Sequence, residues 1–309
     1  MDRDQVIGLL QCPRTGSVLI AEGDTLRAEA DTAIRYRRVH GIPVVVDFDR
    51  SILDETGILA SAAASPVRRR RRSESWLRRW VATPAKHSAS HVLRLLERLK
   101  AKTDRPRILV IGGGSIGNGL QAIYDDPVVD VVGFDIYASE CIQFIADAHA
   151  VPLADASFDA VIVQAVLEHV LDPVQVVGEA HRLLRPGGLV YAETPFMQQV
   201  HEGAYDFTRF TDSGHRYLFR RFELIDAGVL SGPGTQLLWS IDYFFRGLFR
   251  SRTAGKVFKL LFFWLRWFDV LIPQPYAVDA AGAVYFLGAR QEEAIPARAI
   301  VDYYRGAQR

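Results

Sequence analysis

Between Arg107 and Gly117 the chain reads RILVIGGGSIG, an apolar run of strand length that breaks into glycines. Ile108 to Ile111 supply the continuous Ile/Leu/Val run of a strand buried on both faces. Gly112, Gly114 and Gly117 then permit a tight turn, close backbone approach by a ligand, and packing of a helix predicted near 116–124. A second apolar strand, expected over 129–135, ends in Asp135, an acid placed to accept both hydroxyls of a ribose. Together these features predict a nucleotide-binding half. The glycine spacing alone leaves the identity of the nucleotide open.

The following segment continues the alternation. A short strand is expected near Cys141 to Ala146, leading to Asp147, and another from Ala160 to Gln164, ending close to Glu168 and His169. Asp172-Pro173 is a helix start, with Asp as N-cap and Pro at the first position, and that helix should run to about Leu184. Pro186-Gly187-Gly188 turns the chain into a strand at 189–193. The pattern predicts an α/β fold with a doubly wound, mostly parallel sheet whose ligand sits outside the carboxyl ends of the strands. Beyond Thr194-Pro195, a loop dense in His, Asp, Arg and Tyr should cover that edge. A helix from Asp212 to about Arg220 and strands at 222–230 and 283–290 complete the expected sheet.

These residues carry a resemblance. Asp147-Ala148, Leu153, Ser157-Phe158-Asp159, Leu167-Glu168-His169-Val170 and Leu184-Arg185-Pro186-Gly187-Gly188 stand in order and spacing similar to those of the class I S-adenosylmethionine (SAM)-dependent methyltransferases, in particular the type 11 group. The likeness covers roughly residues 105 to 230. It implies a Rossmann-like, seven-stranded sheet and SAM as cofactor. It further implies cofactor contacts at Gly112, Gly114, Gly117, Asp135, Ile136, Asp147, Ala148 and Gln164. His169 lies near where the methyl group should emerge. His201, Tyr205 and Arg209, with Glu202, Asp206 and His215, lie on the loop expected over the acceptor. His169, His201, Tyr205 and Arg209 are therefore the catalytic candidates, and no metal is expected. The implied reaction is methyl transfer to a small-molecule or glycan- or lipid-linked acceptor.

One position departs from the pattern. Many members of the group carry an acid two residues before the first glycine, where this chain has Val110. A non-catalytic SAM-fold binding or partner module is therefore the second reading. A nicotinamide-linked oxidoreductase is the third, disfavoured by the SFD, LEHV and RPGG matches.

Residues 1–50 read as a small β-rich module. Its LLQCP start (Leu9 to Pro13) and GIPV finish (Gly41 to Val44) resemble Trm112-like domains, some of which are zinc ribbons. The zinc cysteines are missing here: Cys12 has no second cysteine nearby, and with His40 it supplies at most two of the four ligands a structural zinc requires. Residues 51–90 read as a basic linker containing Arg68 to Arg72, with Trp76 and Trp80 close by; a block of like charges resists compact packing. Residues 91–309 form the predicted methyltransferase domain, interrupted by an aromatic helical insertion over 231–280. There Arg246, Arg250, Arg252, Lys256, Lys259 and Arg266 alternate with Phe, Trp and Leu. The insertion reads as a helical cap or, together with Arg68–Arg72, as a peripheral contact with anionic lipid through 237–270.

A formal charge of +1 gives no chain-wide field for nucleic acid, so no such partner is expected. Two cysteines make no disulfide framework, and the first residues lack a basic stretch followed by an apolar core. The expected location is cytoplasmic, with peripheral attachment to the inner face of the membrane as the alternative.

Overall fold

The computed structural model describes residues 1, 3–60 and 84–308, so Arg68–Arg72, Trp76 and Trp80 lie outside the described residues. Seven strands make the main sheet: β5 (Arg107–Ile111), β6 (Asp130–Asp135), β7 (Phe144–Ile145), β8 (Phe158–Gln164), β9 (Leu184–Pro195), β10 (Phe222–Ser231) and β11 (Ala283–Arg290). Their order is β10-β11-β9-β8-β5-β6-β7. β11 is antiparallel to both of its neighbours, and the other pairs are parallel. The chain runs outward from β5 to β6 and β7, then crosses to β8 on the other side. The switch point therefore lies beside the end of β5, where a ligand crevice forms.

β5 shows why its residues are uniformly apolar. Ile108, Leu109, Val110 and Ile111 are at most 3% exposed. Leu109 and Ile111 join one core cluster with Val132, Phe134, Phe144 and Phe158, whereas Ile108 and Val110 join a second under the Pro84–Lys100 helix. Side chains alternate across a strand, so a strand covered on both faces needs apolar residues at every position. The helix presents Val92, Leu95, Leu96 and Leu99 to that second cluster, at the spacing of one helical face. Val110 thus fills an apolar layer between helix and sheet.

The helix predicted near 116–124 is confined to Gln121–Tyr124. Gly119 takes φ +78°, and a Cβ there would stand 2.5 Å from the Ala89 nitrogen, so a turn packed on the preceding helix precedes it. The Asp172 cap forms as expected: its side chain accepts from the Gln175 N–H at the head of the Pro173–Leu183 helix. Such a cap is worth about 1 kcal/mol.

At the other edge, four short strands pair antiparallel in chain order: β1 (Leu19–Glu22), β2 (Thr25–Ala28), β3 (Arg35–Val39) and β4 (Ile42–Pro43). Leu10, Leu26, Tyr36 and Val45 pack into the same core cluster as β5 and β6. Val44 bridges Ile145 in parallel, with the Val45 N–H bonded to the Ile145 carbonyl at 2.8 Å, so the short edge strand β7 is covered. Cys12 is buried, its Sγ 3.2 Å from the Tyr36 hydroxyl.

The insertion folds as helices Pro233–Leu248 and Arg252–Leu261, a 3-10 segment Phe263–Val270, and a helix Gln274–Asp279. Asp269 reaches back to the head of the first helix, accepting from the Gly234 N–H at 2.6 Å and the Thr235 hydroxyl at 2.6 Å. Phe245 and Phe258 stack at 3.5 Å between the two longer helices. No described helix is long and apolar enough to cross a membrane.

Candidate active site

A cavity of about 260 Å³ opens at the carboxyl ends of β5, β6 and β8. Ile111 and Gly112 form its floor, Phe134, Asp135 and Ile136 one wall, and Gln164, Ala165 and Val166 the other. Gly112 has φ +74°, and a Cβ on it would lie 2.4 Å from Val166 Cγ2, so only glycine lets the chain turn between these walls. Gly117 serves a different end. A Cβ there would fall on the Gln164 side-chain oxygen, whose amide nitrogen meanwhile donates to the Asn118 carbonyl and to Glu193.

Asp135, Asp147 and Glu202 line this space, the first two from the strand ends. Asp135 at the tip of β6 accepts the Gly114 N–H at 2.8 Å and the Ile136 N–H at 2.7 Å, which ties the glycine turn to the neighbouring strand. Asp147, just past β7, accepts from the His149 N–H at 2.9 Å, from His149 Nδ1 at 2.6 Å and from the Ser51 hydroxyl. Burial pushes the Asp147 pKa up, but the hydrogen bonds from His149 and Ser51 outweigh it and hold the carboxyl below its ordinary value. The bond to Asp147 raises the pKa of His149 in turn.

Residues 109–192 match the family model of a methyltransferase domain. The chain carries a methyltransferase domain. Relatives extend the match. The chain is similar to a malonyl-acyl-carrier-protein O-methyltransferase of Coxiella burnetii, 27% identical over 144 residues, 44% of this chain and 49% of the relative. It is also similar to a methyltransferase of Mycobacterium tuberculosis, 34% identical over 92 residues, 26% of this chain and 37% of the relative. The chain thus spans at most about half the length of these curated relatives. Among solved structures it resembles a Haemonchus contortus phosphoethanolamine N-methyltransferase bound to S-adenosyl-L-methionine, at 15% identity and TM-score 0.43, covering 66% of this chain and 53% of that one.

Within the matched stretch, Gly112, Asp135, Ile136, Asp147, Ala148, Gln164 and His169 line the cavity, and His201 and Tyr205 join them from the loop that follows it. Gly114 and Gly117 shape the turn behind that lining. Arg209 does not line it, and its expected place over the acceptor is corrected. Its guanidinium binds the Asp206 carboxylate and the carbonyls of Gln198, Gln199 and Thr208, so its donors are spent on holding the loop. His215 is likewise no part of the lid. It is fully buried against Phe219, 3.0 Å from the Thr194 hydroxyl, and burial drives its pKa down to about 3.

Sequence reasoning missed several residues. Ile52 and Leu53 line the cavity next to Asp147, although residues 51–90 read as linker. The signal available was a short apolar pair just after the 3-10 turn Phe48–Arg50 that closes the front module. Glu193, 5% exposed on β9, accepts from Gln164 and from the Tyr191 hydroxyl, and burial raises its pKa.

In sequence Glu168 is distinguished only by its pairing with His169. Its side chain is 1% exposed, its Oε2 has no hydrogen-bond partner, and burial raises its pKa to about 8. Its Oε1 stands 3.7 Å from His169 Nε2 and 3.8 Å from His201 Nε2. Burial lowers the pKa of His169, so that ring is neutral near pH 7.

The residues present suit an adenosyl ligand. Flat apolar walls at Phe134, Ile136, Val166 and Ile52 match an adenine ring, and acceptor-only carboxylates at Asp135 and Asp147 match a ribose diol and an exocyclic amine.

Proposed function

We propose that this protein binds SAM in the cavity beside β5 and transfers its methyl group to an acceptor that enters past His201, Glu202 and Tyr205. The carrying observation is the pair of carboxylates, Asp135 and Asp147, that line one apolar slot whose turn requires Gly112. When bound, the cofactor supplies a methyl group on a positively charged sulfur, already activated for displacement. The protein's task is mainly alignment. Asp135 and Asp147 fix the adenosine half, the Gly112 turn brings backbone close to the other half, and His169, His201 and Tyr205 line the end where the acceptor meets the methyl carbon. The acceptor's lone pair forms the new bond to carbon as the carbon–sulfur electrons return to sulfur, and the acceptor gives up its proton.

The acceptor is read as a small molecule or a glycan- or lipid-linked group. Its lipid side is supported by the insertion, where Phe244, Leu248, Phe249, Leu260, Leu261 and Trp267 are each more than half exposed. Exposed Arg250, Arg252 and Lys256 accompany them. An apolar face edged with cations suits the interface of an anionic bilayer. Of the other cations in this stretch, Arg246 and Lys259 turn inward to the buried Asp242 and Arg266 is buried, so half of the interleaved set faces outward.

The test is label transfer from methyl-tritiated SAM to a membrane extract and, separately, to a lipid-free metabolite extract. Label in the lipid phase supports both parts, and label in the aqueous phase alone supports methyl transfer to a soluble acceptor. Absence of label and of S-adenosylhomocysteine from both counts against the enzyme.

A further inference from the structure

Glu168 and His169 close the 3-10 turn Leu167–His169 after β8, and His201 descends from the loop after β9. Each imidazole has its Nδ1 committed. His169 Nδ1 lies 2.6 Å from the Tyr205 carbonyl, an acceptor, so that nitrogen carries the proton. His201 Nδ1 lies 3.3 Å from the Asp206 carboxylate and 3.4 Å from the Gln199 carbonyl, again acceptors only. In the neutral rings both Nε2 atoms therefore present lone pairs. Both face Glu168 Oε1, at 3.7 and 3.8 Å, too far for a hydrogen bond. Two ring nitrogens and one carboxyl group converge on one point, and the second oxygen of that buried carboxyl has no hydrogen-bond partner.

A cation resolves that arrangement. The three ligand atoms lie within 4.8 Å of one another, somewhat wider than the roughly 4.2 Å that two metal–ligand bonds of about 2.1 Å span, so the exposed His201 loop closes inward slightly to complete the site. Two imidazoles and one carboxylate are the donors of sites for zinc and for non-haem iron. The outer partners are those that orient such ligands, a backbone carbonyl on one Nδ1 and a carboxylate on the other. We propose that Glu168, His169 and His201 hold a divalent first-row transition-metal ion at the acceptor end of the cavity, against the sequence expectation of no metal. His169 and His201 line the cavity, so the ion's open positions face it, where an acceptor oxygen can bind. Its role toward an acceptor rests on the methyltransferase reading; the binding site itself does not.

The experiment uses the full chain, stripped with a chelator and free of any adenosyl compound. Zn²⁺ is titrated by calorimetry and Co²⁺ by visible absorbance, on wild type, Glu168→Gln and His201→Ala. The expected result is one equivalent bound at micromolar or lower concentration, with Co²⁺ d–d bands. Each variant that keeps a cooperative melt should bind at least tenfold more weakly. His201 is on an exposed loop, so its variant serves if Glu168→Gln fails to fold. No saturable binding in wild type overturns the proposal, and so does undiminished binding in a folded variant. Metal binding without SAM binding leaves this site standing and removes the cofactor reading.

Discussion

Nδ1 of His149 lies 2.6 Å from Oδ1 of Asp147, and the two groups shift each other's pKa in opposite directions. The His149 pKa is raised, so its contribution to stability is complete below its ordinary value of 6.5 and is lost as pH rises through the folded value. The Asp147 pKa is lowered, so its contribution is present above 3.8 and is lost as pH falls through the folded value. Both act together between these limits. Thermal melts should show wild type ahead of His149→Ala by about 1 kcal/mol at pH 6, a figure reduced for partial solvent screening, and the gap should narrow as pH rises through the folded His149 value. A gap that widens with pH would show the assignment to be wrong.

Gly112→Ala should lose about 2 kcal/mol of stability. The left-handed backbone alone costs a residue with a side chain roughly 1–2 kcal/mol, and the new Cβ also meets Val166 Cγ2 at 2.4 Å. Adding Val166→Ala should return the steric share and leave the backbone share. Denaturant unfolding of the four proteins in this cycle measures the two separately.

Much of the fold was legible in the chain, for identifiable reasons. The run from Ile108 to Ile111 is apolar at every position because both faces of β5 are covered, and Asp172-Pro173 names its own helix start. The misread helix near 116–124 turned on Gly119, which has a positive φ and no room for a side chain against Ala89 of another element. The site was half legible. Residues placed by strand ends, such as Asp135 and Gln164, could be found by counting from the glycines. The Glu168–His169–His201 cluster joins positions more than 30 residues apart, and only the folded loops bring them together. Arg209 looked like an anion binder because residue type says nothing of whether donors are already spent.

Arg209→Ala should destabilise the loop by about 2 kcal/mol, since it leaves the Asp206 carboxylate, whose side chain is 1% exposed, held by the His201 N–H but without its cation. Burial tends to raise the Asp206 pKa, but Arg209 together with the His201 N–H overrides this and brings it to about 2. The pair's contribution is therefore present above pH 3.8 and lost as pH falls toward 2. Arg209→Lys should rescue little, because an ammonium cannot span the same acceptors. Limited proteolysis across residues 198–211, read with the melting temperature, checks both variants.

The insertion should bind vesicles containing phosphatidylglycerol and ignore pure phosphatidylcholine, with binding weakened by salt. Replacing Leu248, Leu260 and Leu261 by serine should abolish sedimentation with those vesicles with little change in melting temperature, because these side chains are mostly exposed. Equal binding to both vesicle types would remove the electrostatic part of the reading.

Calorimetric titration with S-adenosylhomocysteine, in wild type and Asp135→Ala, tests the cofactor site most directly because no turnover intervenes. The account predicts a single site in wild type and affinity at least tenfold lower in the variant, since the ribose loses its carboxylate. No heat at millimolar ligand, or equal affinity in both proteins, would contradict it.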